Sequence, residues 1–228
     1  MRVVITGANR GIGLGLADKF AMMGHEVIAT CRHPDGAREL WEVESEAKKR
    51  LTIHQMDVTD TESVNRLSKV LAGETIDILI NNAGMATEYG AGLQRLTEEA
   101  MRQCFETNTL GPLRTIKAFL PNLLRAQAPI VANISTKVAS IDDNRSGFAY
   151  AYRTSKTALN MLNKCISIEF PEVCCALLHP GWVKTSMGGN QAPTDVLESV
   201  SGLYEVITNL SLKDSGGFFD FRGEPIPW

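Results

Sequence analysis

The sequence lacks an excess of charge of either sign and any long apolar run. Its 228 residues carry 23 Lys and Arg against 26 Asp and Glu, which gives a formal net charge of -3. This balance provides no broad basic field for nucleic acid or an anionic membrane, so any anion site must be local. No apolar stretch is long enough to cross a bilayer. We therefore expect a protein that binds neither nucleic acid nor membranes.

Metal sites and secretion also lack support. The five cysteines are odd in number and without metal-type spacing, and the four histidines fall in different predicted elements. Cys174 and Cys175 are adjacent inside an apolar run, which indicates buried, reduced thiols. The apolar run from Val3 meets Thr6 and Gly7 at once, which leaves no room for a signal peptide. These features predict a cytoplasmic protein with no metal site.

Short β-branched runs alternate with longer segments of helical period along the chain. We predict strands near 2–6, 26–30, 51–56, 76–81, 129–134, 173–178 and 217–220. We predict helices near 11–23, 36–49, 61–72, 97–107, 109–125, 152–170 and 194–209. Such alternation is typical of βαβ units with right-handed crossovers. The predicted fold is α/β: a single Rossmann-like doubly wound domain over residues 1–228, with a seven-stranded, mainly parallel sheet flanked by helices.

A glycine-rich segment directly follows the first predicted strand and opens a helix. It reads Gly7-Ala8-Asn9-Arg10-Gly11-Ile12-Gly13. Gly7 permits a sharp turn, Gly11 lets the backbone approach a pyrophosphate, and Gly13 allows close packing of helix on strand. The helix N-terminus favours negative charge. A turn without a ligand can carry the same glycines, but the strand-turn-helix context favours a dinucleotide site.

The stretches 84–94, 137–148 and 184–193 are predicted loops at the carboxyl ends of strands. Further motifs follow the glycine segment along the chain. The motifs are Asp57-Val58, Asn81-Asn82-Ala83-Gly84, Asn108, Tyr152-x-x-x-Lys156 and Pro180-Gly181. With the glycine segment, they resemble the short-chain dehydrogenase/reductase family over almost the whole chain. The amino-acid sequences of the glycine segment, of residues 152–156 and of the last ten residues resemble those of carbonyl reductases related to the sniffer protein and bacterial C-factor. The resemblance implies hydride transfer between NADP(H) and a small carbonyl or alcohol.

Tyr152 and Lys156 open a predicted helix, and their spacing of four places both side chains on one helical face. A phenol with its ordinary pKa near 10 is a poor proton donor or acceptor at neutral pH, and a nearby ammonium stabilises the phenolate. We therefore expect Lys156 to lower the pKa of Tyr152. An exposed Tyr-Lys pair is the plain alternative, which the glycine segment disfavours.

The catalytic hydroxyl is ambiguous. The family has a serine after the fifth strand, and aligning on Asn133-Ile134-Ser135 puts Thr136 at that position. Thr136 is favoured because threonine donates the same hydrogen bond, with Ser135 second and Ser140 a further alternative. The resemblance also implies that Asn108 kinks a helix and holds a water linked to Lys156, whereas a helix-capping Asn is the alternative.

The resemblance assigns the remaining cofactor contacts. Asp57 and Val58 are expected to frame the adenine, and Lys156 to bind the nicotinamide ribose. Residues near the adenosine are expected to be Asn82, Ala83 and Gly84. The segment expected to hold the nicotinamide amide contains Pro180, Gly181, Val183 and Thr185.

The choice of cofactor depends on the end of the second strand. An acid there binds the ribose of NAD, whereas an Arg accommodates the extra 2′-phosphate of NADP. Here the strand ends in Arg32 without an acid, and Arg10 offers a second guanidinium. The sequence therefore favours NADPH, although both could be ordinary surface arginines.

Two further expectations concern partners and alternatives. The apolar stripes of helices 109–125 and 152–170 resemble the surfaces through which this family pairs, so we expect a homodimer or homotetramer. The alternative function is a C-factor-like nucleotide-binding signalling protein with little catalytic role, which the intact Tyr152-Lys156 pair disfavours. A sugar-nucleotide epimerase or dehydratase would need a longer C-terminal substrate region.

Overall fold

The computed structural model describes residues 1–87, 89–90 and 92–228. Its strands are β1 (Arg2–Thr6), β2 (Glu26–Cys31), β3 (Leu51–Gln55), β4 (Ile78–Asn81), β5 (Ile130–Ile134), β6 (Cys174–His179) and β7 (Phe218–Asp220). Its α-helices are α1 (Gly11–Met22), α2 (Arg38–Glu46), α3 (Thr61–Val70), α4 (Glu98–Phe105), α5 (Gly111–Leu123), α6 (Tyr150–Glu169) and α7 (Val196–Asn209). Every predicted strand and helix is present, with boundaries shifted by a few residues. Positions 88 and 91 of the predicted loop 84–94 lie outside the described residues.

The seven strands form one sheet in the order β3-β2-β1-β4-β5-β6-β7. Every pair of neighbours is parallel. From β1 the chain winds outward through β2 and β3, and it then returns to the other side of β1 with β4. The strand order therefore reverses between β1 and β4, where sheets of this kind open a crevice at their carboxyl ends. The predicted doubly wound α/β fold is confirmed.

Helices cover both faces of the sheet. Val3 and Ile5 pack in a cluster with residues of α1, α2 and α7, whereas Val4 between them packs with residues of α3, α5 and α6. This alternation follows from the two-residue period of a strand. A parallel sheet buried on both faces needs near-continuous apolar strands, as the sequence of this chain has. The buried sheet gives the residues at its carboxyl edge a rigid base.

Two helical segments differ from their predicted form. Residues Glu106–Leu110 form a π-helical turn that joins α4 directly to α5, with Asn108 fully buried in its middle. The predicted break at residue 108 is thus a bulge in a continuous helix, a feature common at functional sites. Helix α2 ends at Glu46, earlier than predicted, because Lys48 and Lys49 have positive φ angles of 49° and 66°. A left-handed backbone ends an α-helix.

Other expectations concerned cysteines, metals and membranes. All five cysteines are free, and Cys165 is exposed while the others are buried. The described residues contain no group of three His, Cys, Asp or Glu side chains placed to hold a metal ion. Over the same residues, none of the helices combines the length and apolar character needed to cross a membrane. The cytoplasmic location stays a prediction.

Candidate active site

A cleft of about 300 Å³ lies at the carboxyl ends of the central strands. Of the predicted site residues, those that border it are Gly7, Asn9, Arg10, Gly11, Ile12, Gly13, Arg32, Asp57, Val58, Asn82, Ala83, Gly84, Ser135, Tyr152, Lys156, Pro180 and Thr185. A second cavity, of about 330 Å³, lies between α7 and β7 around Leu210 and Phe219 and contains no predicted site residue. The cleft is therefore the candidate active site.

The glycine segment forms a tight turn from β1 into α1, and side chains at its glycines would make close contacts. Gly7 and Gly11 have positive φ angles of 66° and 57°, which favour glycine. A Cβ on Gly13 would lie 2.3 Å from the Gly7 oxygen and 2.4 Å from Asn82 Nδ2. These contacts explain why the first turn of α1 can approach the end of β1. The N-terminus of α1 therefore faces the cleft, where it favours an anion.

Side chains of Thr6 and Asn82 join the ends of β1 and β4. Asn82 Nδ2 donates to the backbone oxygens of Thr6 and Gly7 over 2.9 and 3.0 Å. Thr6 Oγ1 accepts from the backbone N–H groups of Asn82 and Ala83 over 3.0 and 2.9 Å. Thr6 was not among the predicted site residues. These bonds fix the floor of the cleft where the strand order reverses.

Two arginines border the cleft near the end of β2. Arg10 and Arg32 are both exposed, and Arg32 directly follows Cys31, the last residue of β2. Neither forms an ion pair within the residues that the structure describes. Two guanidinium groups without acidic partners make this end of the cleft suited to a phosphate.

Asp57 and Val58 lie at the edge of the same region. Asp57 Oδ1 accepts hydrogen bonds from the backbone N–H and the hydroxyl of Thr59, over 2.9 and 2.8 Å. Its carboxylate is therefore part of a local turn. Val58 packs against Gly111, where an added Cβ would meet Val58 Cγ2 at 3.0 Å. Both residues border the cleft, where they could lie along one side of the expected adenine.

Tyr152 and Lys156 lie in the first two turns of α6. Burial and the nearby Tyr89 raise the pKa of Tyr152, and the side chain of Thr136 opposes them as a hydrogen-bond partner of the phenol. Burial lowers the pKa of Lys156 to about 8. An ammonium that loses its proton near this pH is neutral before the phenol ionises. The expected lowering of the Tyr152 pKa by Lys156 is therefore not found.

Lys156 is held away from solvent by the end of β5. Its Nζ donates to the backbone oxygen of Ile134 over 2.8 Å, and the residue is 4% exposed. A Cβ on Gly84 would lie 3.5 Å from Lys156 Nζ and 3.3 Å from Asn108 Oδ1. Gly84 thus leaves space next to the ammonium, at the Tyr152 end of the cleft.

Asn108 uses its amide to join three elements. Its Nδ2 donates to the Met85 oxygen over 2.8 Å and to Ser155 Oγ over 3.0 Å, and its Oδ1 accepts from the Met85 N–H over 2.9 Å. The side chain does not cap a helix, because Asn108 lies inside the π-helical turn. It positions the loop after β4 against α6, next to Lys156.

The segment after β6 reaches across to the glycine segment. A Cβ on Gly11 would lie 3.3 Å from Thr185 Cγ2. Gly181 and the buried Val183 do not border the cleft, but they shape the turn that leads to Thr185. Several residues that border the cleft were not predicted, although each lies close to a predicted one: Met56, Thr59, Met85, Ser186 and Met187 in the strand-end loops, and Thr107 in the π-helical turn.

Comparisons with known proteins agree with this geometry. Residues 1–195 match the short chain dehydrogenase family. C-signal of Myxococcus xanthus is 43% identical over 155 residues, which cover 67% of this chain and 93% of that protein. The structure of an NADPH-bound carbonyl reductase from chicken fatty liver matches with a TM-score of 0.93 and 39% identity, over 100% of this chain and 98% of that one. Carbonyl reductase Sniffer of D. melanogaster matches with a TM-score of 0.93 and 34% identity, over 100% and 99% of the two chains. The chain therefore belongs to the short-chain dehydrogenase/reductase family of oxidoreductases.

Proposed function

We propose that this protein is an NADPH-dependent carbonyl reductase that acts reversibly on a small carbonyl or alcohol substrate. The observation that carries the proposal is the arrangement of a single cleft. One end carries two arginines without acidic partners, and the other end carries a phenol and a buried lysine; Thr136, which acts on the phenol, is not among the residues that border the cleft. The neighbours from chicken and fly, both named carbonyl reductases, support this reading.

The residues present fit NADP(H). The N-terminus of α1 and the open backbone at Gly11 suit the pyrophosphate, and Arg10 and Arg32 suit the 2′-phosphate. Further residues proposed to hold the cofactor are Gly7, Asn9, Ile12, Gly13, Asp57, Val58, Asn82, Ala83, Gly84, Lys156, Pro180, Gly181, Val183 and Thr185. When bound, NADPH supplies the hydride.

The proton chemistry belongs to this chain's own residues. Tyr152 is protonated at neutral pH and donates its phenolic proton to the substrate oxygen, although burial raises its pKa and so opposes the transfer. Thr136 donates a hydrogen bond to the same oxygen and so stabilises the negative charge that develops there. Lys156, protonated below its pKa of about 8, borders the Tyr152 end of the cleft, where we expect it to bind the nicotinamide ribose. Asn108 positions the loop and helix around Lys156.

Signalling is the second candidate, because C-signal is among the relatives. A protein that only bound a nucleotide would not need a buried lysine and a phenol at one end of the cleft, with a hydroxyl that acts on the phenol. The Tyr152, Lys156 and Thr136 arrangement therefore favours catalysis.

The test is a panel of small aldehydes and ketones with NADPH and, separately, NADH. We expect alcohol formation coupled to NADPH consumption, and much slower turnover with NADH. The reverse reaction, with the product alcohol and NADP⁺, should be measurable at higher pH because it releases a proton. Binding of NADPH without turnover of any carbonyl would support the signalling alternative.

A further inference from the structure

A strained turn precedes the helix that carries Tyr152. Gly147, Phe148 and Ala149 have consecutive φ angles of 64°, 55° and 49°. Ala149 is the N-cap of α6, in the left-handed region and without a side-chain cap. A bulky residue such as Phe is a rare occupant of that region. Such strain persists only where surrounding groups fix the backbone, and it concentrates at functional sites.

The guanidinium of Arg153 holds this turn, together with the Asn144 side chain, whose Oδ1 accepts from the Gly147 N–H over 3.0 Å. Arg153 Nε donates to the backbone oxygens of Gly147 and Phe148, each over 3.1 Å. Its Nη1 donates to the Val138 oxygen over 2.7 Å, and its Nη2 to Ser146 Oγ over 2.8 Å. One planar cation thus holds both ends of the loop 137–148. Lysine, a point charge with a single nitrogen, cannot reproduce this fork.

The turn places the Phe148 ring against the loop 84–94. The ring is 56% exposed, an unusual position for a phenylalanine held in strained backbone. Its Cε1 would lie 3.7 Å from a Cβ on Gly92, so the loops 137–148 and 84–94 meet there. Three residues earlier in that second loop, the Tyr89 ring lies 5.7 Å from the Tyr152 ring, centroid to centroid. The loop 84–94 therefore lies next to both the Phe148 ring, at Gly92, and the Tyr152 ring, at Tyr89.

We propose that Arg153 is a positioning residue that holds Phe148 in the strained turn, so that the Phe148 ring contacts the apolar part of a carbonyl substrate. The inference deepens the proposed function and rests on it. Arg153 follows Tyr152 directly, so the same stretch of α6 provides the proton donor and fixes the aromatic contact.

The variant Phe148→Gly separates substrate contact from folding. Glycine adopts positive φ without cost, so this variant should melt at the same temperature as the wild type or higher. Loss of the aromatic contact should raise the KM for benzaldehyde about threefold to tenfold, with a smaller rise for propanal. Ile141→Ala is the matched control, because Ile141 is an exposed apolar residue of the same loop. It should leave both KM values unchanged.

The variant Arg153→Lys tests the fork itself. Amide hydrogen exchange at residues 144–149 should become faster than in the wild type, and the KM for benzaldehyde should rise as in Phe148→Gly. In the double variant, Arg153→Lys should add little to the effect of Phe148→Gly, because both act through the same ring.

The two proposals fail in different ways. A wild-type protein that reduces neither benzaldehyde nor propanal with NADPH contradicts the proposed carbonyl reduction. If the wild type reduces both, an unchanged KM for benzaldehyde in Phe148→Gly overturns the further inference, as do additive effects in the double variant. A wild type active on propanal but not on benzaldehyde overturns it as well.

Discussion

The hydroxyl of Ser135 donates a hydrogen bond of 2.7 Å to Asn160 Oδ1 on α6. Ser135 continues the direction of Asn133, whose Nδ2 donates over 2.9 Å to Asn163 Oδ1 on the same helix. This agrees with the alternation of side chains at the end of β5. The next residue, Thr136, interacts with the Tyr152 phenol through its side chain and opposes the rise in the pKa of that phenol. The two neighbouring hydroxyls therefore serve different elements.

We predict that Thr136 supplies the hydroxyl that binds the substrate carbonyl. Thr136→Ala should lower kcat about a hundredfold or more, because it removes a donor to the developing negative charge. Thr136→Ser should keep most of the activity, and Ser135→Ala should lose less than Thr136→Ala. Steady-state kinetics on the three purified variants checks this. A dead Ser135→Ala beside a nearly normal Thr136→Ala would assign the role to Ser135.

Replacing Tyr152 with phenylalanine should stop turnover and spare cofactor binding. Tyr152→Phe removes only the proton donor, so kcat should fall about a hundredfold to ten-thousandfold. The Kd for NADPH, measured by fluorescence titration, should stay close to the wild-type value. Tyr150→Phe, two residues earlier on α6, is the control and should be active. Substantial carbonyl reduction by purified Tyr152→Phe would contradict the mechanism.

The preference for NADPH should depend on the two cleft arginines. Arg32→Ala and Arg10→Ala should each weaken NADPH binding about tenfold to a hundredfold, the size of a lost charge-assisted hydrogen bond. Affinity for NADH should change little, because it lacks the 2′-phosphate. Arg50→Ala, at an exposed arginine just before β3, is the control. Equal affinities of the wild type for NADPH and NADH would argue against this assignment.

Gly13 is predicted to be essential for stability. Gly13→Ala places a Cβ 2.3 Å from the Gly7 oxygen, so helix and strand must separate. We expect a loss of about 1–3 kcal/mol in the free energy of unfolding, as for other overpacked sites. Gly36→Ala is the control, since nothing lies within 4 Å of its added Cβ. Chemical denaturation of both variants measures the difference, and equal stabilities would refute the prediction.

We propose a homodimer or homotetramer that pairs through α5 and α6. Met161 and Ile168 on α6 are 66% and 69% exposed, and Leu124 after α5 is 45% exposed. Met161→Lys and Ile168→Lys should shift the protein toward the monomer in light scattering at micromolar concentration. Met22→Lys, at an exposed methionine at the end of α1, should not. A monomeric wild type would contradict the proposal.

The order of the elements was readable from the sequence because it depends on local patterns. Apolar runs of a few residues predict buried parallel strands, and the glycines between β1 and α1 fit a turn that leaves space for few other residues. Helix ends were less predictable. The left-handed backbone at Lys48 and Lys49 shortens α2, and two lysines do not predict it because that conformation favours glycine.

The sequence by itself determined the fold class, the glycine turn and the pairing of Tyr152 with Lys156, because each depends on residues close together in the chain. Only the tertiary structure decided which hydroxyl faces the phenol, since Thr136 and Tyr152 lie on different elements. It also decided that burial, rather than a neighbouring charge, dominates the pKa of Tyr152. The contacts of Arg153 with the strained turn are likewise invisible in the sequence. Desolvation and hydrogen bonding between distant segments arise only when the chain is packed, so no local pattern encodes them.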